Sequence, residues 1–338
     1  MTTTGSLRWL DLAGAPDIPG LRTRHFSDDS DYERLAGLMS EANIFDGIPW
    51  LPTAQNVKVE MVNSDGADPV NDVVIVEAGD RVVAAAGVER VVRDDVPTYD
   101  MWGSVDPGFR RRGLGTALMG WTLAHSRERA AREDQGKSVD LGSFAEDTET
   151  GHRALLAKTG LEPVRHFFLM RRPGLEEIPD APLPEGLEIR RVTEEQWRTI
   201  FDAENEAFRD HWGHREMGDS DFRSTFGRAE LDTDLWVVAW DGDQVAGVVE
   251  NWIWTEENER LGVKRGWLER ISVRRQWRRR GLARAITAAS LVKLREAGLE
   301  EGILGVDSEN ANGALGLYEG LGFRELNRAA AYRRRLDP

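Results

Sequence analysis

"PGFRRRGLGTAL" at residues 107–118 and "RQWRRRGLARAI" at 275–286 share one arrangement: three consecutive arginines, a glycine, a leucine, a small residue and then an apolar run. Each follows a stretch ending in valine, "YDMWGSV" (99–105) or "WLERISV" (267–273). Beyond the glycine, Leu114, Ala117, Leu118 and Trp121 recur at helical spacing, as do Leu282, Ala285, Ile286 and Ala289. The pattern predicts a strand, a tight turn and the start of a helix, twice. The first turn of a helix leaves backbone N–H groups unpaired and carries partial positive charge, so it attracts anions. Gly113 with Gly115, or Gly281 with Ala283, keeps side chains clear of that approach. Arginines add attraction, and a pyrophosphate is the natural occupant.

Two familiar phosphate motifs are excluded. A Walker A loop needs Gly-Lys followed by Ser or Thr, which neither stretch has. A dinucleotide fingerprint needs a third glycine or alanine, where this chain has Leu118 and Ile286.

The repetition extends beyond the turn. "GLRTRHFSDDSDYERLAGLMSEA" from Gly20 matches "GLEIRRVTEEQWRTIFDAENEAF" from Gly186, and "DVVIVEAGDRVVAAAGV" from Asp72 matches "DLWVVAWDGDQVAGVV" from Asp234. "LLAKTGLEPV" from Leu155 answers "GLYEGLGFRE" from Gly316. Four matches in one order at nearly constant spacing predict two copies of one domain. The expected division is 1–172, a linker at 173–186 and 187–338, because "RPGLEEIPDAPLPEG" carries four prolines and reads as extended chain. A length of 338 residues agrees with two domains. Within each copy, strands and helices alternate as in an α/β (α+β) fold: a mixed, largely antiparallel central sheet flanked by helices.

Composition narrows the function. Hydrophobic residues at 40% and charged residues at 30% suit a globular chain. There is no cysteine, which removes disulfides, thiolate zinc sites and cysteine nucleophiles together. The formal net charge of −15 disfavours nucleic acid, whose binding is driven mainly by Lys and Arg. No long apolar window or basic-then-apolar N-terminus is present, so the expected setting is cytoplasmic, without membrane or nucleic-acid partner.

"VDPGFRRRGLG" from Val105 and "VRRQWRRRGLA" from Val273, with "NANGALGLYEGLGF" at 310–323 downstream, resemble the signature of the GNAT acyltransferase superfamily. The resemblance implies two tandem GNAT-like domains and an acetyl-CoA substrate. It implies that the edge Ile271, Ser272 and Val273 bonds the pantetheine arm. Arg278, Arg279, Arg280, Gly281, Leu282, Ala283 and Arg284 would form the pyrophosphate turn, with Asn310 downstream. Gly103, Ser104 and Val105, then Arg110, Arg111, Arg112, Gly113, Leu114, Gly115 and Thr116, are the counterparts in the first copy. The tandem arrangement is similar to that of the mycothiol synthase family, in which the C-terminal domain acetylates a cysteinyl amine of a pseudodisaccharide.

Transfer of an acyl group from a thioester to an amine needs a neutral amine and a proton for the departing thiolate. Each positioned acid or base contributes about 10²–10⁴-fold. By resemblance Tyr318 stands where the acid is found, and a phenol with a reference pKa of about 10 holds its proton at neutral pH. Its counterpart Leu156 cannot donate a proton. Period-two alternation puts Trp267, Glu269, Ile271 and Val273 on one strand face, and Glu269 is the candidate base, with Glu250 second. Met101 stands in the first copy where Glu269 would be. The acceptor pocket is expected to be bordered by Asp210, His211, Trp212 and Glu250. His211 and His214 lack a third ligand, so no metal is expected. The first copy is expected to be catalytically degenerate while still holding coenzyme A, and the second to acetylate a small-molecule amine. Acetylation of a cysteinyl pseudodisaccharide or of a protein N-terminus, and non-catalytic sensing of acyl-CoA, are the alternatives.

Overall fold

The computed structural model describes residues 7–62, 67–228, 230–310 and 313–336. The chain divides into two compact units, residues 1–165 with 329–338, and residues 166–328. Among the described residues no helix is long and apolar enough to cross a membrane.

The first unit opens with β1 (Trp9–Leu10), β2 (Leu21–His25), α1 (Ser30–Asp46), α2 (Ala54–Val62) and α3 (Pro69–Asp72). Then come β3 (Val73–Ala78), β4 (Arg81–Arg93), β5 (Val96–Val105), α4 (Leu114–Glu133), β6 (Val139–Glu146) and α5 (Thr150–Lys158). Consecutive strands from β1 to β5 pair antiparallel, and β5 pairs parallel with β6. β3 reads "VVIVEA" without polar alternation because both its faces are covered. Val73 and Ile75 pack with Leu35, Leu38 and Val57, while Val74 and Val76 pack with Leu114, Ala117 and Leu118. The helical stripe expected on α4 is thus its buried face.

The next strand, β7 (Glu162–Pro173), begins in the first unit and pairs in the second. The second unit continues with β8 (Glu188–Arg190), α6 (Trp197–Phe208), α7 (Asp219–Phe226), β9 (Val237–Asp241), β10 (Gln244–Trp252) and α8 (Thr255–Leu261). β11 (Arg265–Val273), α9 (Leu282–Glu296), β12 (Glu301–Asp307) and α10 (Ala314–Gly320) follow. β8 to β11 pair antiparallel in order and β11 pairs parallel with β12. One face of this sheet packs Val237, Ala239, Leu268 and Val249 against Leu282, Ile286 and Leu291 of α9. The other packs Val238, Trp240 and Trp252 against Ile200 and Phe201 of α6. Each unit is the mixed, largely antiparallel sheet between helices that the sequence implied.

The boundaries differ from those expected. Residues Phe167–Pro173 of β7 pair antiparallel with β12, so they belong to the second unit. The last strand, β13 (Arg324–Leu336), leaves it: Ala329–Leu336 pair antiparallel with Glu146–Val139 of β6 in the first unit. Each repeat thus donates a closing strand to the other. The proline-rich segment is no free linker either. Leu175 is buried in the second core, and Ile178, Ala181 and Leu183 pack against it. Burial of these four apolar side chains outweighs the extended preference of the prolines between them.

Candidate active site

Both helices predicted from the arginine-glycine stretches start where expected, and the two turns have nearly the same backbone. Arg110 and Arg278 are extended at φ −66°, ψ 159° and φ −67°, ψ 159°. Arg111 and Arg279 follow in the left-handed region at φ 61° and 62°. Gly113 and Gly281, at φ 100° and 86°, then cap α4 and α9. A side chain at either glycine would be strained, which is why glycine stands there. The first-turn N–H groups of Leu282, Ala283 and Arg284 have no acceptor within the helix and point out of its N-terminus.

One brace fixes each turn. Arg278 donates through Nε to the Val273 carbonyl at 2.9 Å, through Nη2 to the Ala207 carbonyl at 3.0 Å, and through Nη1 to Asp210 at 2.7 Å. Arg275 adds an Nε bond to Asp210 at 2.8 Å. In the first unit Arg110 donates to the Val105 carbonyl at 3.0 Å and to both oxygens of Asp46 at 2.6 and 2.8 Å. Asp210, expected in the acceptor wall, is bonded to the two arginines of the turn. Hydrogen bonds from Arg275 and Arg278 hold its carboxyl far below the usual range, and both oxygens are used inside the protein.

The turn closes one end of a cavity of about 180 Å³ in the second unit. The β11–β12 ladder runs from Arg265–Glu301 to Trp267–Ile303 and stops. Beyond that point Ile271, Ser272 and Val273 line the cavity. Arg278, Arg279, Gly281, Leu282, Ala283 and Arg284 form its floor at the helix start, and His211, Asn310 and Tyr318 complete the wall. Of the expected turn residues only Arg280, an exposed side chain, lies outside. Ala311 and Asn312 of the "NANGALGLY" stretch lie outside the described residues.

Tyr318 on α10 is buried, edge-on to Phe323 with ring centroids 6.0 Å apart. Burial alone pushes its phenol above the ordinary value, so it keeps its proton across the physiological range. His211 sits on the opposite trend. Burial and the neighbouring Arg278 cation lower its pKa and favour the neutral imidazole. Trp212 stands away from the cavity, half exposed against Phe167 at 6.2 Å.

A bulge reorganises the strand that carries Glu269. β10 and β11 pair Gly247 with Val273 and Val248 with Ser272, then shift by one so that Glu250 faces Glu269. Arg270, at φ 45°, absorbs the extra residue. The expectation that Trp267, Glu269, Ile271 and Val273 share a face therefore fails. Trp267 packs in the core beneath α6, whereas Ile271 and Val273 pack on the α9 side. The extra residue reverses the alternation between Glu269 and Ile271.

On the α6 side the bulge gathers charge. Glu250 is 2% exposed and accepts from Trp252 Nε1 at 3.1 Å. Arg270 Nε lies 3.5 Å from Glu250 Oε1 and 3.5 Å from Oε1 of Glu204, which is 1% exposed. Burial, then the Glu250 carboxylate, pushes Glu269 up to about 7. Burial and Glu250 likewise raise Glu204 well above the carboxylate range. Trp236, Trp240 and Trp252 are buried core residues.

The profile of the Acetyltransferase (GNAT) family matches residues 197–323. A mycothiol acetyltransferase of Salinispora arenicola is 31% identical over 68% of this chain and 71% of its own length. The chain belongs to the GNAT acetyltransferase family. A mycothiol acetyltransferase of Catenulispora acidiphila is 27% identical over 90% of this chain and 96% of its own. Among solved structures, a GCN5-related N-acetyltransferase from Sphaerobacter thermophilus aligns with TM-score 0.70 at 26% identity, covering 96% and 97% of the two chains. A tandem GNAT protein from the clavulanic acid biosynthesis pathway shares the fold, with TM-score 0.64 at 19% identity over 94% and 99%.

The two GNAT units keep the turn and differ elsewhere. Leu156 is fully buried where Tyr318 stands in the second unit, and Met101 is buried where Glu269 stands. The β4–β5 ladder runs from Ala84–Val105 to Arg93–Val96 without a shift, so the first unit lacks the bulge as well. Its parallel ladder reaches Asp100–Gly142, and Ser143 Oγ then donates to the Met101 carbonyl at 2.8 Å. Gly103, Ser104 and Thr116 sit on the strand and helix expected for them. Sequence reasoning missed Glu204 and Arg270. Glu204 was legible as a carboxylate at i+4 from Ile200 and i+3 from Phe201, on the apolar face of α6.

Proposed function

We propose that the second unit transfers an acetyl group from acetyl-CoA to the amine of a small molecule, by direct attack of the amine on the thioester. One observation carries this reading: a single cavity brings the exposed N–H groups of a helix start, a free strand edge and a buried tyrosine together. The turn suits a pyrophosphate, since left-handed backbone at Arg279 and Gly281 leads into α9 and the space a Cβ at Gly281 would fill is open. Ile271, Ser272 and Val273 offer the strand edge along which an extended arm can add its hydrogen bonds. Acyl-CoA supplies the activated carbonyl when bound.

Glu269, on the α6 side of the β11 bulge and outside the cavity lining, takes a proton from the acceptor ammonium through intervening water, leaving the neutral amine. As the amine nitrogen bonds to the carbonyl carbon and the carbon–sulfur bond breaks, Tyr318 gives its proton to the departing thiolate, and the proton shed by the new amide nitrogen restores the phenol. His211, neutral in the cavity wall, contributes a polar border without repelling a cationic acceptor. Release of coenzyme A followed by mass spectrometry over a panel of amines tests the reading. Tyr318→Phe should lower kcat by about 10²–10⁴-fold with KM for acetyl-CoA little changed. Turnover equal to wild type would remove Tyr318 as the acid, and no turnover with any amine would favour a binding-only role.

A second, narrower reading concerns the acceptor. Relatives named mycothiol acetyltransferase span both units, at 27% identity over 90% of this chain. That full-length match favours a cysteinyl pseudodisaccharide over a protein N-terminus. Direct comparison of the two acceptors at equal concentration decides between them.

A further inference from the structure

Behind Glu269 lies a buried group that the acyl transfer itself does not use. Glu204 comes from α6, Glu250 from β10, and Arg270 from the bulge of β11, with its guanidinium 4.8 Å over the Phe208 ring. One oxygen of Glu204 and one of Glu250 have no hydrogen-bond partner, nor has Nη2 of Arg270. Arg270 also occupies a left-handed backbone conformation, at φ 45°, that a non-glycine side chain adopts only at a cost. Two carboxyls, each at least 98% buried, therefore share one cation within reach of the residue read as the base.

We propose that Arg270 is a positioning residue for Glu269: its guanidinium counter-charges the Glu204–Glu250 pair, so that the pair carries a single negative charge and leaves Glu269 free to give up its proton. This rests on the reading of Glu269 as proton acceptor. Like-charged carboxyls in one buried site do not all ionise, and burial together with the neighbouring Glu250 favours the protonated form of Glu204. Without the cation, the negative charge of the pair would stand unopposed, and Glu269 would keep its proton to a higher pH. The charged groups facing Glu269 are Glu250 across the ladder, Arg270 beside it, and Arg228, whose guanidinium lies 5.6 and 5.7 Å from the rings of Trp252 and Trp254. Glu204 faces the cluster from α6 through Arg270. The repeat that lacks Glu269 also lacks this device: its ladder has no bulge and Met101 occupies the position.

The test is the pH dependence of kcat/KM for the acceptor in the full-length enzyme. Arg270→Met should move the acidic limb up by about one pH unit, a roughly tenfold loss below the limb and little loss above it. Arg270→Lys should stay near wild type, and Glu250→Gln added to Arg270→Met should bring the limb back down, since the carboxylate opposite Glu269 then leaves with the cation. Glu250→Gln should move the limb the other way, because the single charge then resides on Glu204, away from Glu269. That variant serves even where Arg270→Met fails to fold. An equal loss at every pH in Arg270→Met, or an unmoved limb in Glu250→Gln, would overturn the proposal. Glu269→Gln separates the two ideas: if it keeps the wild-type limb, the base assignment fails, whereas a limb lost in Glu269→Gln but unmoved in Arg270→Met sinks the positioning role alone.

Discussion

Asp210 accepts from Arg278 at 2.7 Å just as Asp46 accepts from Arg110 at 2.6 Å, and in both units the same arginine also holds the last carbonyl of the preceding strand. The pair ties the helix before the sheet to the turn after it. Loss of Asp210 should therefore loosen the turn and not the acceptor pocket. Asp210→Ala is expected to weaken acetyl-CoA binding roughly tenfold, the scale of a lost bond to a charged group, with KM for the amine almost unchanged. Calorimetric titration with coenzyme A and steady-state kinetics on both substrates check the split; a rise confined to the amine KM would return Asp210 to the acceptor site.

Gly247 faces Val273 across the ladder, and a Cβ there would lie 2.8 Å from the Ser272 carbonyl oxygen, with Ile286 and Val273 side chains at 3.1 and 3.2 Å. The strand edge that lines the cavity would have to move. Gly247→Ala should destabilise the fold by about 1–3 kcal/mol, as overpacking does, and reduce coenzyme A affinity in the same variant. Thermal melts with and without coenzyme A measure both effects.

Glu269 gives a pH signature. As the proton acceptor it works ionised, so kcat/KM should rise with pH through about 7. The sign for stability is opposite. Its folded-state pKa is raised, so the folded protein binds the proton more tightly than the unfolded chain, and stability falls as pH climbs from about 4.5 through about 7. Glu269→Gln should accordingly raise Tm at pH 8 relative to wild type and change it little at pH 4, where both states are protonated. An equal Tm gain at both pH values would show that the carboxyl is not held in this way.

Turn geometry alone favours coenzyme A binding by the first unit. Because its β6 pairs with Ala329–Leu336, a fragment ending near residue 178 lacks a strand, so the full chain is the proper sample. Titration should give two sites per chain in wild type and one in Gly113→Val, since φ 100° excludes a branched side chain. A single site in wild type would limit the first unit to a structural role.

Deleting residues 329–338 should expose β6 selectively. Eight residue pairs join Val139–Glu146 to the last strand, and Arg334 and Arg335 add side-chain contacts to Thr159, Ser138 and Asp140. Hydrogen exchange is expected to accelerate in β6 and α5 while α9 and β12 stay protected. Uniform loss of protection would mean that the two units unfold together.

Much of this was legible in the sequence because the decisive signals are local. The strand, glycine turn and helix of each repeat follow from period and backbone permissiveness, and the second-unit cavity gathers ten of the eleven non-catalytic residues expected around its turn, strand edge and Asn310. The acceptor side was less legible. Asp210 follows α6 as a pocket residue would, whereas Asp46 before the first turn signals a brace common to both repeats. The bulge at Arg270 left no mark in the composition of "WLERISV", and one extra residue was enough to reverse which side chains meet. Domain boundaries failed for a different reason: repeats in sequence report ancestry, whereas strand pairing decides which body each segment completes.

That exchange of closing strands makes the duplication hard to undo. A chain shortened to its second repeat would lose Phe167–Pro173 from beside β12, and one shortened to its first would lose the partner of β6. The repeat with leucine and methionine in place of tyrosine and glutamate is thus retained by the other as a supplier of backbone, whatever it binds.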